Sequence, residues 1–184
     1  MGRLSKEQNK IVNQIITAYK NSNKKDIVIV CIGTSKLIGD CLGPLIGTRL
    51  LENKTLFNII GNLSENVHAL NIVQKVEEIN KIYDDPFIIG IDACVSNDDE
   101  VGDCIFKKDG INPGRGVEKN LGMVGDCGIV GIVYKYEEYD CNEIYFQLRN
   151  AQLINHIYPL STNIVNILLS LNKKIKLKKL IGVV

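Results

Sequence analysis

Two short segments of the chain, 27–32 and 87–91, are almost entirely apolar and rich in β-branched residues, without the polar alternation of a half-exposed strand. Continuous runs of this kind are typical of strands that are covered on both faces, as in a parallel sheet flanked by helices. Similar but weaker patterns predict strands over 55–60, 101–107 and 127–136. The sequence therefore predicts a sheet that is mostly parallel.

Helical patterns precede and follow the first of these runs. Ser5 and Gln8 have the spacing of a capping box, which predicts a helix at the start of the chain. Pro44 favours the start of a second helix that runs to Leu51, because the missing proline N–H is not needed in the first turn. The apolar positions that follow the capping box at helical spacing are Ile11, Val12, Ile15, Ile16 and Tyr19.

Two further helical segments are predicted over 67–83 and 148–171, the second kinked or split by Pro159. Strands therefore alternate with helices, and the chain shows neither an internal repeat nor a linker. This pattern predicts one domain over 1–184, a three-layer α/β/α sandwich with a mostly parallel central sheet. The closing segment is more apolar than one domain needs, which favours association into a homo-oligomer.

Composition and charge limit the kinds of partner that the chain is expected to bind. The 184 residues carry a net charge of +1, and the short basic run 173–179 lacks interleaved aromatic residues, so we expect a solvated helix end and no nucleic-acid partner. We find no signal peptide and no membrane span, and we expect a cytoplasmic protein. The six cysteines contain no C-x-x-C pair, which favours reduced thiols over zinc ligands.

Asp40 and Asp92 are the strongest chemical signal. Each follows one of the two apolar runs, and in parallel sheets the ligand crevice lies outside the carboxyl ends of the strands. Two carboxylates at one edge can divide the work, one activating water while the other holds a proton, or they can bind a divalent metal. Taken singly, Asp40 could be a helix N-terminal carboxylate and Asp92 a strand-end residue that accepts from backbone amides.

His68 follows the second predicted strand and begins the next helix, so it could also face the crevice. There it would complete a metal site with Asp40 and Asp92 or act as a general base. The alternative is a partly buried histidine that only packs. A Cys41 nucleophile with His68 as its base is a further alternative.

The loop that begins at Gly33 does not match a nucleotide site. It lacks the second glycine of the G-x-G-x-x-G pattern, and Gly39 is followed by Asp40 where a phosphate-binding loop has lysine. A carboxylate at that position would repel phosphate unless a metal intervened. These features argue against nucleotide binding.

Six short motifs occur in the order in which a known family has them, and they cover most of the chain from the first strand onward. They are 31–34, 39–44, 67–71, 91–94, 112–117 and 124–129. On these residues the chain resembles the YyaC family of sporulation proteins. It departs from that family at Ser35-Lys36, where YyaC proteins usually carry Asp-Arg.

Segments 40–44, 91–93 and 113–117 are also similar to ordered motifs of the spore germination protease, which degrades small acid-soluble spore proteins. That resemblance implies catalytic roles for Asp40 and Asp92. The hydrogenase maturation endopeptidases, which share this fold, place carboxylates similarly around a metal that is bound in the substrate. The segments expected to shape a substrate groove contain Gly33, Thr34, Gly39, Pro113, Gly114, Arg115 and Gly116.

Two functions follow from these resemblances. The first is a sporulation-associated endopeptidase in which Asp40 and Asp92 activate water against a peptide bond of a protein or peptide substrate, assisted by His68. The second is a non-catalytic regulatory protein of the developing spore that uses the same crevice to bind a peptide or a metal. The shared fold does not decide between them.

Overall fold

The structure, a computed structural model, describes residues 3–113 and 122–180 and contains a five-stranded sheet. The strand order is β2-β1-β3-β5-β4, and every neighbouring pair is parallel except β4 and β5. This confirms the predicted mostly parallel sheet. The strands are β1 (Ile27–Cys31), β2 (Asn58–Ile60), β3 (Phe87–Ser96), β4 (Cys104–Lys107) and β5 (Cys127–Lys135).

Helices lie on both faces of the sheet. Three of them, α1, α2 and α5, pack with one face in a single apolar cluster, and α3 packs with the other face in a second cluster. The predicted three-layer α/β/α architecture is therefore confirmed. The helices are α1 (Lys6–Ser22), α2 (Leu42–Leu51), α3 (Ile72–Ile82), α4 (Cys141–Leu148) and α5 (Ile154–Leu180), with short 3-10 turns at Ile38–Asp40 and Ala151–Leu153.

The alternation of β1 explains why its sequence is apolar throughout. Ile27 and Ile29 point into the cluster with α1, α2 and α5, whereas Val28 and Val30 point into the cluster with α3. All of them are buried. Because both faces are covered by apolar side chains, no position along β1 favours a polar residue.

The first helix forms as its sequence predicts. The Ser5 hydroxyl accepts from the Gln8 N–H at 3.1 Å, and the Gln8 side chain accepts from the Ser5 N–H at 2.9 Å. The capping box thus satisfies donors that have no partner within the helix. Of the predicted apolar positions, Ile11, Val12, Ile15 and Tyr19 are buried and Ile16 is partly buried.

The third helix begins later than predicted, at Ile72 rather than residue 67. Val67 instead forms a parallel bridge with Ile32, and its carbonyl accepts from the Gly33 N–H at 2.7 Å. The backbone of residue 67 therefore extends the sheet, which a helix cannot do. His68 consequently lies in a loop before α3 and not in the helix.

The closing part of the chain also differs from the prediction. Pro159 does not split α5, which continues through it from Ile154 to Leu180. The break comes earlier, where Asn150 has extended backbone angles and its side chain accepts from the Gln152 N–H. Within the described residues, no helix combines the length and apolarity needed to cross a membrane.

Candidate functional site

The loop of residues 33–40, called the Asp40 loop below, joins β1 to α2. Gly33 has φ +135°, and a Cβ atom there would lie 2.1 Å from the Asp40 carbonyl oxygen. Only glycine fits this conformation and this close approach. The loop therefore folds back on itself, and the Thr34 N–H donates to Asp40 Oδ2 at 2.8 Å and lies 3.1 Å from the Asp40 carbonyl oxygen.

Asp40 ends the 3-10 turn Ile38–Asp40 and lies two residues before the start of α2. The N-cap of α2 is Cys41, and no side chain caps this helix. Because the Asp40 carboxylate accepts from Thr34 instead of from an α2 amide, it is not a helix cap. The structure thus argues against a purely helix-capping role for Asp40.

Asp92 lies within β3, not beyond its end, because β3 continues to Ser96. The predicted strand end at residue 91 is nevertheless where the neighbouring strand stops, since Cys31 of β1 pairs with Ile91. Asp92 therefore stands at the carboxyl end of β1, on a strand that continues past it. One of its oxygens accepts from the Ala93 N–H at 2.8 Å.

The two aspartates share an electrostatic environment. Burial raises the pKa of Asp40 to about 6, although the Thr34 N–H works in the opposite direction. Burial and, second, the charge of Asp40 raise the pKa of Asp92 well above its usual value, while the Ala93 N–H opposes them. Because the charge of Asp40 contributes to the raised pKa of Asp92, the two carboxyl groups interact electrostatically.

Burial outweighs the helix dipole at Asp40. A carboxylate at a helix N-terminus gains about 0.3–1 kcal/mol from the dipole, which would lower its pKa. A rise from 3.8 to about 6 corresponds to roughly 3 kcal/mol in the opposite sense. The carboxylate therefore carries its charge at an energetic cost.

No cation offsets this cost in the part of the chain that the structure describes, where neither Asp40 nor Asp92 forms an ion pair. Two neighbouring buried carboxyl groups without a cation do not both ionise readily. Burial and, second, the charge of Asp40 favour the protonated form of Asp92, so Asp92 is the member of the pair that keeps its proton to the higher pH. One group can then accept a proton while the other donates one.

His68 lies half-buried in the loop of residues 61–71, called the His68 loop below. Its backbone N–H donates to Asn71 Oδ1 at 2.8 Å, and its ring Nδ1 accepts from the backbone N–H of Leu70 at 3.3 Å. The ring proton of the neutral imidazole is thus assigned to Nε2. In the described residues, no hydrogen bond joins His68 to Asp40 or Asp92.

The side chains do not form the metal site that the sequence suggested. Among residues 3–113 and 122–180, no group of three or more His, Cys, Asp or Glu residues is placed to hold a metal ion. A metal-bound imidazole normally donates from its second nitrogen, whereas Nδ1 of His68 accepts a hydrogen bond. Asp40, Asp92 and His68 therefore do not fit a metal ion in this arrangement.

The alternative with a Cys41 nucleophile is also unsupported. Cys41 is buried, and burial together with the charge of Asp40 raises the pKa of its thiol. A reactive cysteine needs the opposite shift, since the thiolate is the nucleophile. Cys31 is likewise a buried thiol whose pKa is raised by burial.

The predicted groove residues have different surroundings. Gly33 and Thr34 contact Asp40 directly. Gly39 is covered by α4, because a Cβ atom there would lie 2.3 Å from a Leu148 methyl carbon, and Pro113 is buried. Gly114, Arg115 and Gly116 lie outside the described residues.

The sequence analysis missed Asn66, whose side chain joins the two loops of the site. Its Oδ1 is 3.0 Å from both the backbone nitrogen and the hydroxyl of Ser35, and 3.3 Å from the hydroxyl of Thr34. Ser35, where the chain departs from the YyaC pattern, is thus held by the His68 loop. Asparagine is common in loops because its side chain bonds to nearby backbone, and that was the only available signal.

Comparison with known proteins agrees with the resemblance seen in the sequence. A family model described as "Protein of unknown function (DUF1256)" matches residues 3–167. The chain is 40% identical over 138 residues to "Uncharacterized protein YyaC" of Bacillus subtilis (strain 168), which confirms the resemblance to YyaC. That match covers 74% of this chain and 65% of the length of the relative.

Among solved structures, the crystal structure of a NiFe hydrogenase maturation protease, HycI from Thermococcus kodakarensis KOD1, is similar over 83% of this chain and 98% of that chain. The sequence identity is 17% and the TM-score is 0.48. A TM-score of this size does not establish a common fold. The likeness to the spore germination protease stays a prediction.

Proposed function

The chain belongs to the DUF1256 family of proteins of unknown function, and we propose that it is a peptidase-like hydrolase that uses Asp40 and Asp92 to cleave a peptide bond. One observation carries the proposal: two interacting, half-buried carboxyl groups lie at the carboxyl end of the sheet, and neither is ion-paired within residues 3–113 and 122–180. Such a pair is costly to fold, and perturbed acids of this kind cluster at functional sites.

In the proposed reaction, ionised Asp40 takes a proton from water as the water oxygen attacks the peptide carbonyl carbon. Asp92, still protonated, donates its proton to the carbonyl oxygen, which gives a neutral tetrahedral intermediate. When the C–N bond breaks, Asp40 returns its proton to the leaving nitrogen and Asp92 recovers one from the oxygen. The products are a carboxylic acid and an amine, and both aspartates regain their starting states.

The biological setting is part of the proposal. The resemblance to YyaC supports a role in sporulation, with a protein or peptide substrate in the cytoplasm of the mother cell or forespore. His68 is not needed in the reaction as written, because Asp40 and Asp92 supply both proton transfers. The groove residues of the Asp40 loop, Gly33 and Thr34, would contact the substrate from beside Asp40.

The test maps new protein termini. Extract from sporulating cells is incubated with the wild-type protein, with Asp40→Asn and with Asp92→Asn, and amino-terminal peptides are compared by mass spectrometry. We expect new termini only with the wild type, with at least about a 10³-fold loss in each variant if one proton transfer is removed. Asp84→Asn, at an exposed carboxylate, is the matched control and should keep full activity.

The second function makes a different prediction in the same experiment. If the crevice only binds a peptide, the maps with wild type and variants are identical although all proteins are folded. Binding of extract peptides to the wild type, weakened in Asp40→Asn, would then replace the hydrolase proposal with the regulatory one.

A further inference from the structure

Asn66 is held from both sides by its own loop. Its side-chain Nδ2 donates to the backbone carbonyl of Asn62 at 2.8 Å, and its backbone carbonyl accepts from Asn71 Nδ2 at 3.0 Å. These bonds fix the direction of the side-chain amide, so that Oδ1 faces the Asp40 loop. Asn71 also accepts from the His68 N–H and thereby orders the rest of the loop.

On the opposite side, Oδ1 of Asn66 meets three polar groups of the Asp40 loop. They are the Ser35 N–H, the Ser35 hydroxyl and the Thr34 hydroxyl, and the last of these also accepts from the Lys36 N–H at 3.2 Å. Thr34 is in turn the residue whose N–H reaches the Asp40 carboxylate. A continuous chain of hydrogen bonds therefore runs from the His68 loop to Asp40.

We propose that Asn66 is a positioning residue, which holds the Asp40 loop in the conformation that presents the Thr34 N–H to the Asp40 carboxylate. Both polar atoms of the side-chain amide are required, Nδ2 as a donor to the His68 loop and Oδ1 as an acceptor from the Asp40 loop. Aspartate would place an oxygen against the Asn62 carbonyl, and serine or alanine would not span the two loops. The effect of Asn66 on hydrolysis rests on the proposed function, but its effect on the loop does not.

Amide hydrogen exchange measured by NMR tests the positioning directly. In Asn66→Ala, the amides of Thr34 and Ser35 should exchange at least about tenfold faster than in the wild type, because roughly 1.4 kcal/mol of local stabilisation is lost. The amide of Ile29, in the centre of β1, should exchange at the wild-type rate. Unchanged exchange at Thr34 and Ser35, or an equal increase at Ile29, would overturn the proposal.

Asn62→Ala is the matched control within the same loop. The Asn62 side chain accepts from the Ser64 and Glu65 amides and does not contact the Asp40 loop. Its substitution should leave Thr34 and Ser35 protected, since the Asn62 carbonyl that receives Asn66 is retained. Faster exchange at Thr34 in this control would indicate a general loss of loop structure and count against a specific role of Asn66.

If Asn66→Ala does not fold, the contact is removed from the other side. Ser35→Ala deletes one donor to Oδ1, and Thr34 exchange should then rise about threefold. Unchanged exchange in a folded Ser35→Ala variant would contradict the proposal.

Activity gives a separate readout. Asn66→Ala should lower kcat about tenfold with KM unchanged, and Asn66→Asp, which places an oxygen against the Asn62 carbonyl, should not recover that loss. Normal kcat in Asn66→Ala with faster Thr34 exchange would contradict a role in catalysis. If the wild type hydrolyses nothing, the proposed function fails while the exchange result still decides the positioning.

Discussion

The carboxylates at the two ends of the mostly parallel sheet have opposite surroundings: those at the amino end lie beside a lysine, and those at the carboxyl end interact electrostatically with each other. At the amino end, Asp126 precedes β5 and accepts from the Lys24 ammonium at 2.7 Å and from the Ile88 N–H at 2.7 Å. Lys24 also lies 3.1 Å from Asp85, which precedes β3. These contacts join the segments that enter three neighbouring strands, β1, β3 and β5.

At the carboxyl end, the partners of Asp40 and Asp92 within the described part of the chain are backbone N–H groups, from Thr34 and Ala93. Burial lowers the pKa of Lys24, but its hydrogen bonds to Asp126 and Asp85 outweigh that effect and raise it, so the cation is retained. The cation of Lys24 offsets the desolvation of the Asp126 carboxylate, whereas the half-buried pair opposes folding when it ionises. The ion-paired carboxylates at the amino end therefore suit a structural role, whereas the pair at the carboxyl end suits a role in chemistry.

The largest stability effect is expected from breaking the amino end. Lys24→Met should lower the free energy of unfolding by about 3 kcal/mol, because it leaves the partly buried Asp126 carboxylate without its cation. Urea denaturation at pH 7 measures the change. Lys25→Met, at the exposed neighbouring lysine, is the control and should change stability by less than about 0.5 kcal/mol. Equal effects of the two variants would show that the ion pair is not structural.

Removing a charge at the carboxyl end should instead raise the free energy of unfolding. The pKa of Asp40 is higher in the folded protein than the ordinary value near 3.8, so the folded state holds its proton longer and the cost of ionisation appears as the pH rises through about 6. Asp40→Asn should therefore stabilise the protein by about 2 kcal/mol at pH 8, less than the roughly 3 kcal/mol that ionisation costs because the asparagine amide is itself desolvated, and by almost nothing at pH 4. Denaturation at both pH values checks this, and a loss of stability at pH 8 would refute it.

Sequence reasoning was most successful where local pattern and packing agree. The run at 27–32 predicts β1 because both faces of that strand are apolar, and Ser5 with Gln8 predicts the start of α1 because the capping contacts are local. The interaction of Asp40 and Asp92 follows from the rule that parallel strands end at one edge.

Other features depend on partners that are distant in sequence. The bridge between Ile32 and Val67, which delays α3, has no local signal, and neither does the contact of Asn66 with Ser35 across 31 positions. The protonation states of the aspartates also depend on burial by the assembled fold. The position of His68 relative to the two aspartates depends on the same distant contacts, so its role in the site stays a prediction.

A pH profile of hydrolysis sharpens the comparison at the level of chemistry. The proposed active state requires Asp40 ionised and Asp92 protonated, so activity should rise as the pH passes about 6. It should fall again at higher pH, when Asp92 loses its proton, since the pKa of that group is raised well above its usual value. One unit below the lower pKa, kcat/KM should be about a tenth of its maximum. Activity that keeps rising below pH 5 would contradict these assignments.

The smallest effect is expected at His68, which lies near the carboxyl end but outside the carboxylate pair. Because the hydrogen bond of its ring within the described residues is a long one, from the Leu70 N–H, His68→Ala should change stability by less than about 1 kcal/mol. Hydrolysis should stay within about threefold of the wild type, since neither proposed proton transfer passes through the imidazole. The terminus-mapping assay distinguishes the outcomes: a loss as large as that of Asp92→Asn would return His68 to the catalytic group that the sequence predicts.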